Sequence, residues 1–174
     1  MDIRTVFARL SNGNHELHEK ATLREVELTE SLLKIRLPES FRTFVMEFSN
    51  GAYLYMVQEV CCVGEGNKIQ PLQEVYQFRK KKGEVVTFRD TGGELLIENL
   101  IPYSLDSNGN AWCFLSSKNT DNECEVGYLD IASRKVYGKL ESFTKWLNTL
   151  AENRKEVIRT LYDENVIYNE LALG

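Results

Sequence analysis

The chain has 174 residues, of which 43% are hydrophobic and 27% are charged, and its net charge is −5. This composition predicts one soluble globular domain. The sequence has no stretch of roughly 20 successive apolar residues, which a membrane span requires. The acidic balance disfavours a direct nucleic-acid partner, which needs a basic surface. Because Asp2, Arg4 and Arg9 interrupt the apolar start that a secretory signal requires, we expect a cytoplasmic protein.

Two amphipathic helices are predicted at the start of the chain. Apolar residues at helical spacing mark the first over residues 3–10, and the turn at residues 12–14 ends it. The second begins at Thr22 and carries a carboxylate, Glu30, on its apolar stripe. That stripe comprises Leu23, Val26, Glu30 and Leu33. A carboxylate at this position is an anomaly that needs an explanation.

The third helix has the clearest signals. Pro38 suits its first position, Glu39 faces the positive end of the helix dipole, and Gly51 allows the left-handed conformation that closes a helix. The apolar stripe comprises Phe41, Phe44, Val45 and Phe48. Residues 53–63 are rich in aromatic and β-branched side chains, which predicts one strand.

Short strands and turns follow. The predicted elements are a short helix after Pro71, strands over residues 85–88, 101–105, 111–115, 125–131 and 135–140, and a last helix capped by Ser142. This order predicts an α+β single domain over residues 1–174. Its largely antiparallel, twisted sheet would have about five to six strands, packed on one side with about four helices.

Three motifs in this order resemble the signatures of the SUKH superfamily, which is also known from the yeast cell-wall-synthesis regulators. The first has an acid, Glu30, seven residues before a Leu37-Pro38-Glu39 helix start, and ends at Gly51. The second is the hairpin with Asp106 and Gly109 before the aromatic strand at Trp112 and Phe114, and the third is Ser142-Phe143 followed by Trp146-Leu147. The resemblance covers residues 22–150, which leaves an N-terminal helix in 1–21 and a C-terminal helical extension in 151–174.

The resemblance implies a protein that works by binding. Bacterial members of the superfamily mostly neutralise polymorphic toxins, often nucleases, whereas fungal members are regulatory interaction proteins. We therefore expect a non-catalytic immunity protein, without a cofactor, that occludes the active site of a cognate toxin as a monomer or weak dimer. A regulatory scaffold like the fungal proteins is the alternative.

Few residues are candidates for binding a metal or a phosphate group. His15 and His18 lie three residues apart, and a solvated pair is favoured over a metal site because no third histidine exists. Gly64 and Gly66 lack the Lys-Ser/Thr of a phosphate loop, and the basic run at residues 79–82 is typical of a solvated turn. For Glu30 we favour a structural role, accepting hydrogen bonds from N–H groups at the next helix start.

Four cysteines without a C-x-x-C pair fit a reducing compartment. Buried, reduced thiols are favoured over a zinc site, which needs close pairs of thiolates. Cys113 and Cys124 as neighbours on adjacent strands are a second interpretation.

Acidic residues concentrate between Glu84 and Asp130, where nine acids stand against two bases. We predict a negative face here that competes for the positive groove of a nuclease toxin, with ordinary solubility as the alternative. The predicted partner contacts are Asp90, Glu94, Asp106, Asp121, Glu123 and Glu125, with Tyr53, Tyr55, Tyr103 and Trp112 as aromatic anchors. The predicted structural residues are Glu30, Leu37, Pro38, Gly51, Gly109, Phe143 and Trp146.

Overall fold

The structure is a computed structural model that describes residues 1–79, 81–106, 109–115, 122–154 and 157. These residues form an α+β domain, which confirms the predicted fold class. The helices are α1 (Ile3–Leu10), α2 (Leu23–Leu33), α3 (Glu39–Thr43, continued by a π-helix over Phe44–Phe48), α4 (Leu72–Arg79) and α5 (Phe143–Glu152). The strands are β1 (Glu16–Leu17), β2 (Ala52–Leu54), β3 (Gln58–Val60), β4 (Val85–Phe88), β5 (Glu94–Leu96), β6 (Leu100–Leu105), β7 (Ala111–Leu115), β8 (Val126–Asp130) and β9 (Lys135–Leu140).

The helices begin where their sequences supply caps. Thr22 and Glu25 form a reciprocal capping box at the start of α2, and the Ser142 side chain accepts from the Lys145 N–H at the start of α5. One detail of α2 differs from the prediction, because Leu23 is 51% exposed and the buried face carries Thr29 instead. None of the described helices is long and apolar enough to cross a membrane.

Six strands form the larger sheet in the order β5-β4-β9-β8-β7-β6. Neighbouring strands are antiparallel except β4 and β9, which are parallel. Only the 3₁₀ turn Ile97–Asn99 separates β5 from β6, although these strands lie at opposite edges. Leu96 and Leu100 are four residues apart and so at most about 14 Å from each other, which means that the sheet must curl until its two edges come close.

The curl gives the domain two hydrophobic clusters. Trp112 and Phe114 of β7 face the helices, whereas Cys113, between them, faces the inside of the curl. The inner cluster consists of Val86, Ile97, Leu100, Ala111, Cys113, Leu129 and Val136. The helices thus pack on one face of the sheet, as predicted, and the curl buries apolar residues on the other face as well, which the sequence did not predict.

The segment 53–63 is not the single strand that its composition predicts. It forms part of a hairpin, in which β2 and β3 pair antiparallel and Tyr55 to Val57 make the turn. With β1 these strands form a three-stranded sheet. That small sheet approaches the large one where the Cys61 N–H donates to the Tyr103 carbonyl oxygen at 2.8 Å.

Candidate interaction surfaces

Glu30 lies where α2 meets the start of α3. One of its oxygens, Oε1, accepts from the Leu37 N–H at 2.9 Å and from Arg42 Nη1 at 2.6 Å. The side chains of Glu30 and Arg42 are only 15% and 13% exposed. This geometry gives Glu30 a part in holding the helix start, because the carboxylate satisfies an N–H group that precedes the first helical turn.

Glu123, which we predicted as a partner contact, also serves the start of α3. Its two oxygens accept from the N–H and the hydroxyl of Ser40, each at 2.7 Å. The adjacent Asn122 carbonyl accepts from the Glu39 N–H at 2.7 Å. Since Pro38 provides no side-chain cap, this loop supplies one from 83 residues further along the chain. The Glu123 carboxylate therefore has a bonding role within the fold, and its predicted role as a partner contact stays a prediction.

The predicted acidic residues do not form one continuous face. Asp106 accepts from the Tyr128 hydroxyl and from the Asn110 N–H beside the β6–β7 turn. Glu125 precedes β8 and pairs with Lys139 at 3.4 Å, whereas Asp130 ends that strand. Five residues of strand separate these ends by about 16 Å. The negative charges are therefore divided between two ends of the sheet.

The β4–β5 turn retains free acidic groups. Asp90 and Glu94 are exposed, and Asp90 accepts from the Thr91 N–H of its own turn. The Glu94 side chain has no hydrogen bond or ion pair with any other described residue, although its backbone belongs to the β4–β5 ladder. Asp121, another predicted contact, lies outside the described residues, as do Ser107 and Asn108 of the β6–β7 turn and Lys80 of the basic run.

Two of the predicted aromatic anchors lie in the core. Trp112 is 2% exposed and Tyr103 is fully buried, so neither presents a surface to a partner. Both contact Trp146 of α5, with ring centroids 6.2 Å and 5.2 Å away. Sequence reasoning could not separate these residues from surface aromatics, because the strand alternation that buries them depends on which face the helices cover.

The predicted structural residues occupy positions that suit that role. Leu37, Pro38, Phe143 and Trp146 are buried, and Gly51 and Gly109 have positive φ angles of 79° and 82°. In this conformation a side chain would be strained, which explains the glycines that follow α3 and end the β6–β7 turn.

Tyr53 and Tyr55 belong to the small sheet and are partly exposed. The Tyr55 N–H donates to His15 Nδ1 at 2.8 Å, while His15 Nε2 lies 2.6 Å from the Leu10 carbonyl oxygen. His15 is therefore assigned the neutral tautomer with its proton on Nε2. Because both ring nitrogens already have partners, His15 is not free to bind a metal.

All four cysteines are free thiols in the interior. Cys113 pairs with Gly127 and faces the inside of the curl, whereas Cys124 joins the helix-side cluster. The interpretation of Cys113 and Cys124 as cross-strand neighbours is wrong. Burial, with a contribution from the nearby Glu123 and Glu125 carboxylates, raises the pKa of the Cys124 thiol to about 12. Such a thiol is a poor nucleophile at neutral pH.

The fold and these contacts define a SUKH-type α+β domain, with an upstream acid holding a Leu-Pro-Glu helix start beside a curled sheet. Comparison with known families matches residues 20–149 to the SMI1 / KNR4 family (SUKH-1), and the chain belongs to this family. The matched segment agrees with the span of the three sequence motifs. Comparison with curated proteins gave no match.

Proposed function

We propose that this chain is a cytoplasmic immunity protein that binds a cognate polymorphic toxin, a nuclease, and neutralises it by occluding the active site. Membership of the SUKH-1 family over residues 20–149 carries the proposal. The resemblance to bacterial SUKH proteins implies this role, because those proteins mostly neutralise toxins by binding them. In this proposal the protein acts by one-to-one binding and performs no reaction itself.

Electrostatics support a nuclease as the target. The groove of a nuclease must be positive to hold a polyanion, and the net charge of −5 attracts such a surface. Exposed carboxylates at Asp90 and Glu94 add a local negative site on the β4–β5 turn. Charges of this kind act mainly on the rate of association, and close apolar contacts supply the affinity.

The direct test is rescue of cells by co-expression. If the proposal holds, a gene beside this chain's gene should encode a toxin domain. That domain is expressed alone and with the chain, and the purified complex is examined by light scattering. We expect growth to recover and a complex with one copy of each protein to form. A regulatory scaffold would leave the cells unprotected, so failure of rescue at equal expression contradicts the proposal.

The proposed electrostatic attraction between this chain and the toxin is tested separately, by reversing the charges on the β4–β5 turn. Asp90→Lys with Glu94→Lys should slow toxin association about tenfold at low salt and reduce its salt dependence. Glu27→Lys is the matched control, because Glu27 is an exposed acid on α2, away from this turn. If stopped-flow association rates of both variants equal the wild-type rate at every salt concentration, steering by the turn is excluded while the rescue result stands.

A further inference from the structure

The two edges of the six-stranded sheet differ in what lies beside them. At the β6 edge, the Tyr103 carbonyl oxygen accepts from the Cys61 N–H at 2.8 Å, and the Ser104 hydroxyl donates to the Glu59 carbonyl oxygen. At the other edge, β5 pairs with β4 on one side, and no described strand pairs with its second side. An open edge of this kind presents backbone groups that another extended strand can pair.

The hydrogen bonds of the β4–β5 ladder show which backbone groups of β5 face outward. The Phe88 N–H donates to the Gly93 carbonyl oxygen at 2.8 Å, so Gly93 faces β4. Because bonding groups alternate between the two sides of a strand, the N–H groups of Glu94 and Leu96 and the Glu94 carbonyl point away from β4. These three groups have no hydrogen-bond partner among the residues that the structure describes.

The side chains at this edge are largely apolar. Val85 and Leu96 lie opposite each other on the outer face, are 40% and 43% exposed, and belong to neither packed cluster. Leu95, between Glu94 and Leu96, packs against the inner cluster. Sheet edges that resist pairing carry lysine, proline or a bulge. In β5 neither residue type occurs, and its register with β4 is regular.

We infer that two copies of this chain pair through β5 and form a dimer with one continuous sheet. A two-fold axis at Leu95 places the Leu96 N–H of each copy against the Glu94 carbonyl oxygen of the other, which gives two hydrogen bonds. In this register each Glu94 side chain lies beside Leu96 of the second copy. A register that pairs Glu94 with Glu94 would place like charges opposite each other and is disfavoured. The edge is therefore complementary to itself in both hydrogen bonding and charge.

This dimer is weak and strengthens with salt. Three residues from each copy bury far less than the roughly 1,200 Å² at which stable interfaces begin, so the pair forms at high protein concentration and separates on dilution. Each copy carries a net charge of −5, and added salt screens the repulsion between them. A positively charged toxin has the opposite salt dependence. The inference does not rest on the proposed function, because a dilute chain remains a monomer that can bind a toxin one to one.

Leu96→Pro tests the inference, because proline lacks the N–H group that joins the two copies. Leu96 has φ −75° and ψ 136°, which proline adopts, and its N–H makes no bond within the described fold. In sedimentation equilibrium between about 10 µM and 1 mM, the wild-type dimer fraction should rise with concentration, and Leu96→Pro should weaken association at least about tenfold. The melting temperature of the dilute variant should change by less than about 4 °C.

Leu96→Ala is the matched control for loss of the side chain. Alanine is smaller than proline but keeps the N–H group, so this variant should associate more strongly than Leu96→Pro. Hydrogen exchange followed by nuclear magnetic resonance then locates the contact. The Leu96 N–H should exchange about twofold or more slowly at a wild-type concentration near 1 mM than at about 50 µM.

Three results would overturn the inference. They are a wild-type chain that stays monomeric at about 1 mM, a dimer that Leu96→Pro leaves intact, and a Leu96→Ala variant that associates no better than Leu96→Pro. Protection of the Leu96 N–H by the toxin domain of the rescue experiment, without protection by a second copy, would assign the edge to a toxin strand and overturn it too. Each of these outcomes leaves the rescue of cells, and with it the proposed function, to be decided by its own experiment.

Discussion

Glu30 shows at the scale of single residues how an acid on an apolar helix face serves the fold. Its carboxylate bonds to the Leu37 N–H and to Arg42, and both charged side chains are largely removed from water. Glu30→Ala would leave the Arg42 charge and the Leu37 N–H without this acceptor. We expect the free energy of unfolding to fall by about 3 kcal/mol, the size found when one member of a buried pair is removed.

Urea unfolding followed by circular dichroism measures this loss, and Glu27→Ala on the same helix is the control. Glu27 is exposed, so its replacement should change stability by less than about 0.5 kcal/mol. Glu30→Gln should be intermediate, because an amide oxygen still accepts the Leu37 hydrogen bond but no longer offsets the Arg42 charge. Equal stabilities for the Glu30 and Glu27 variants would show that the helix start does not depend on this carboxylate.

At the scale of elements, the sequence predicted those helices and turns whose signals lie within a few residues. The capping box at Thr22, the cap at Ser142 and the glycine at Gly109 all mark boundaries that the structure contains. The β2–β3 turn has no such signal, because contacts with His15 rather than glycine or asparagine hold its residues. The cap that Glu123 gives α3 comes from 83 residues away, beyond the reach of any local pattern.

The burial of the predicted contact Trp112 could not be predicted from local sequence patterns either, because it depends on how distant elements pack together. Strand alternation places Trp112 and Cys113 on opposite faces, but it does not say which face the helices cover or that the sheet curls. The acids of residues 84–130 cluster in sequence, yet strand direction puts Glu125 and Asp130 at opposite ends of β8. Because these acids lie close together in the sequence, we expected them to share one surface. The antiparallel strands instead place them at different ends of the sheet.

Gly127 of β8 lies very close to Val136 of β9. A Cβ at Gly127 would lie 2.6 Å from Val136 Cγ1, well inside van der Waals contact. Gly127→Ala should therefore reduce the free energy of unfolding by about 1–3 kcal/mol, the usual cost of overpacking. Combining it with Val136→Ala removes the clashing methyl group, so the double variant should lose at least about 1 kcal/mol less than the two single losses added together. Additive losses in urea unfolding would indicate that β8 shifts to accommodate the alanine.

At the scale of the whole molecule, the two clusters share the same strands and should unfold together. Leu105 contacts both clusters, and β7 sends alternate side chains into each. Val136→Ala removes two methyl groups from the inner cluster and should cost about 1–3 kcal/mol. Both tryptophans lie in the helix-side cluster, so their fluorescence reports on the cluster that this substitution does not touch.

Coupled clusters require the fluorescence midpoint and the circular dichroism midpoint of Val136→Ala to move together in urea. Val85→Ala serves as the control, because Val85 lies on β4 beside the inner cluster but is 40% exposed, and its midpoint should hardly change. The contrary outcome is a wild-type midpoint for tryptophan fluorescence together with a loss of part of the circular dichroism signal at lower urea concentration. It would show that the inner cluster unfolds separately from the helix-side cluster. A shared midpoint would instead show that the strands common to both clusters join them into one cooperative unit.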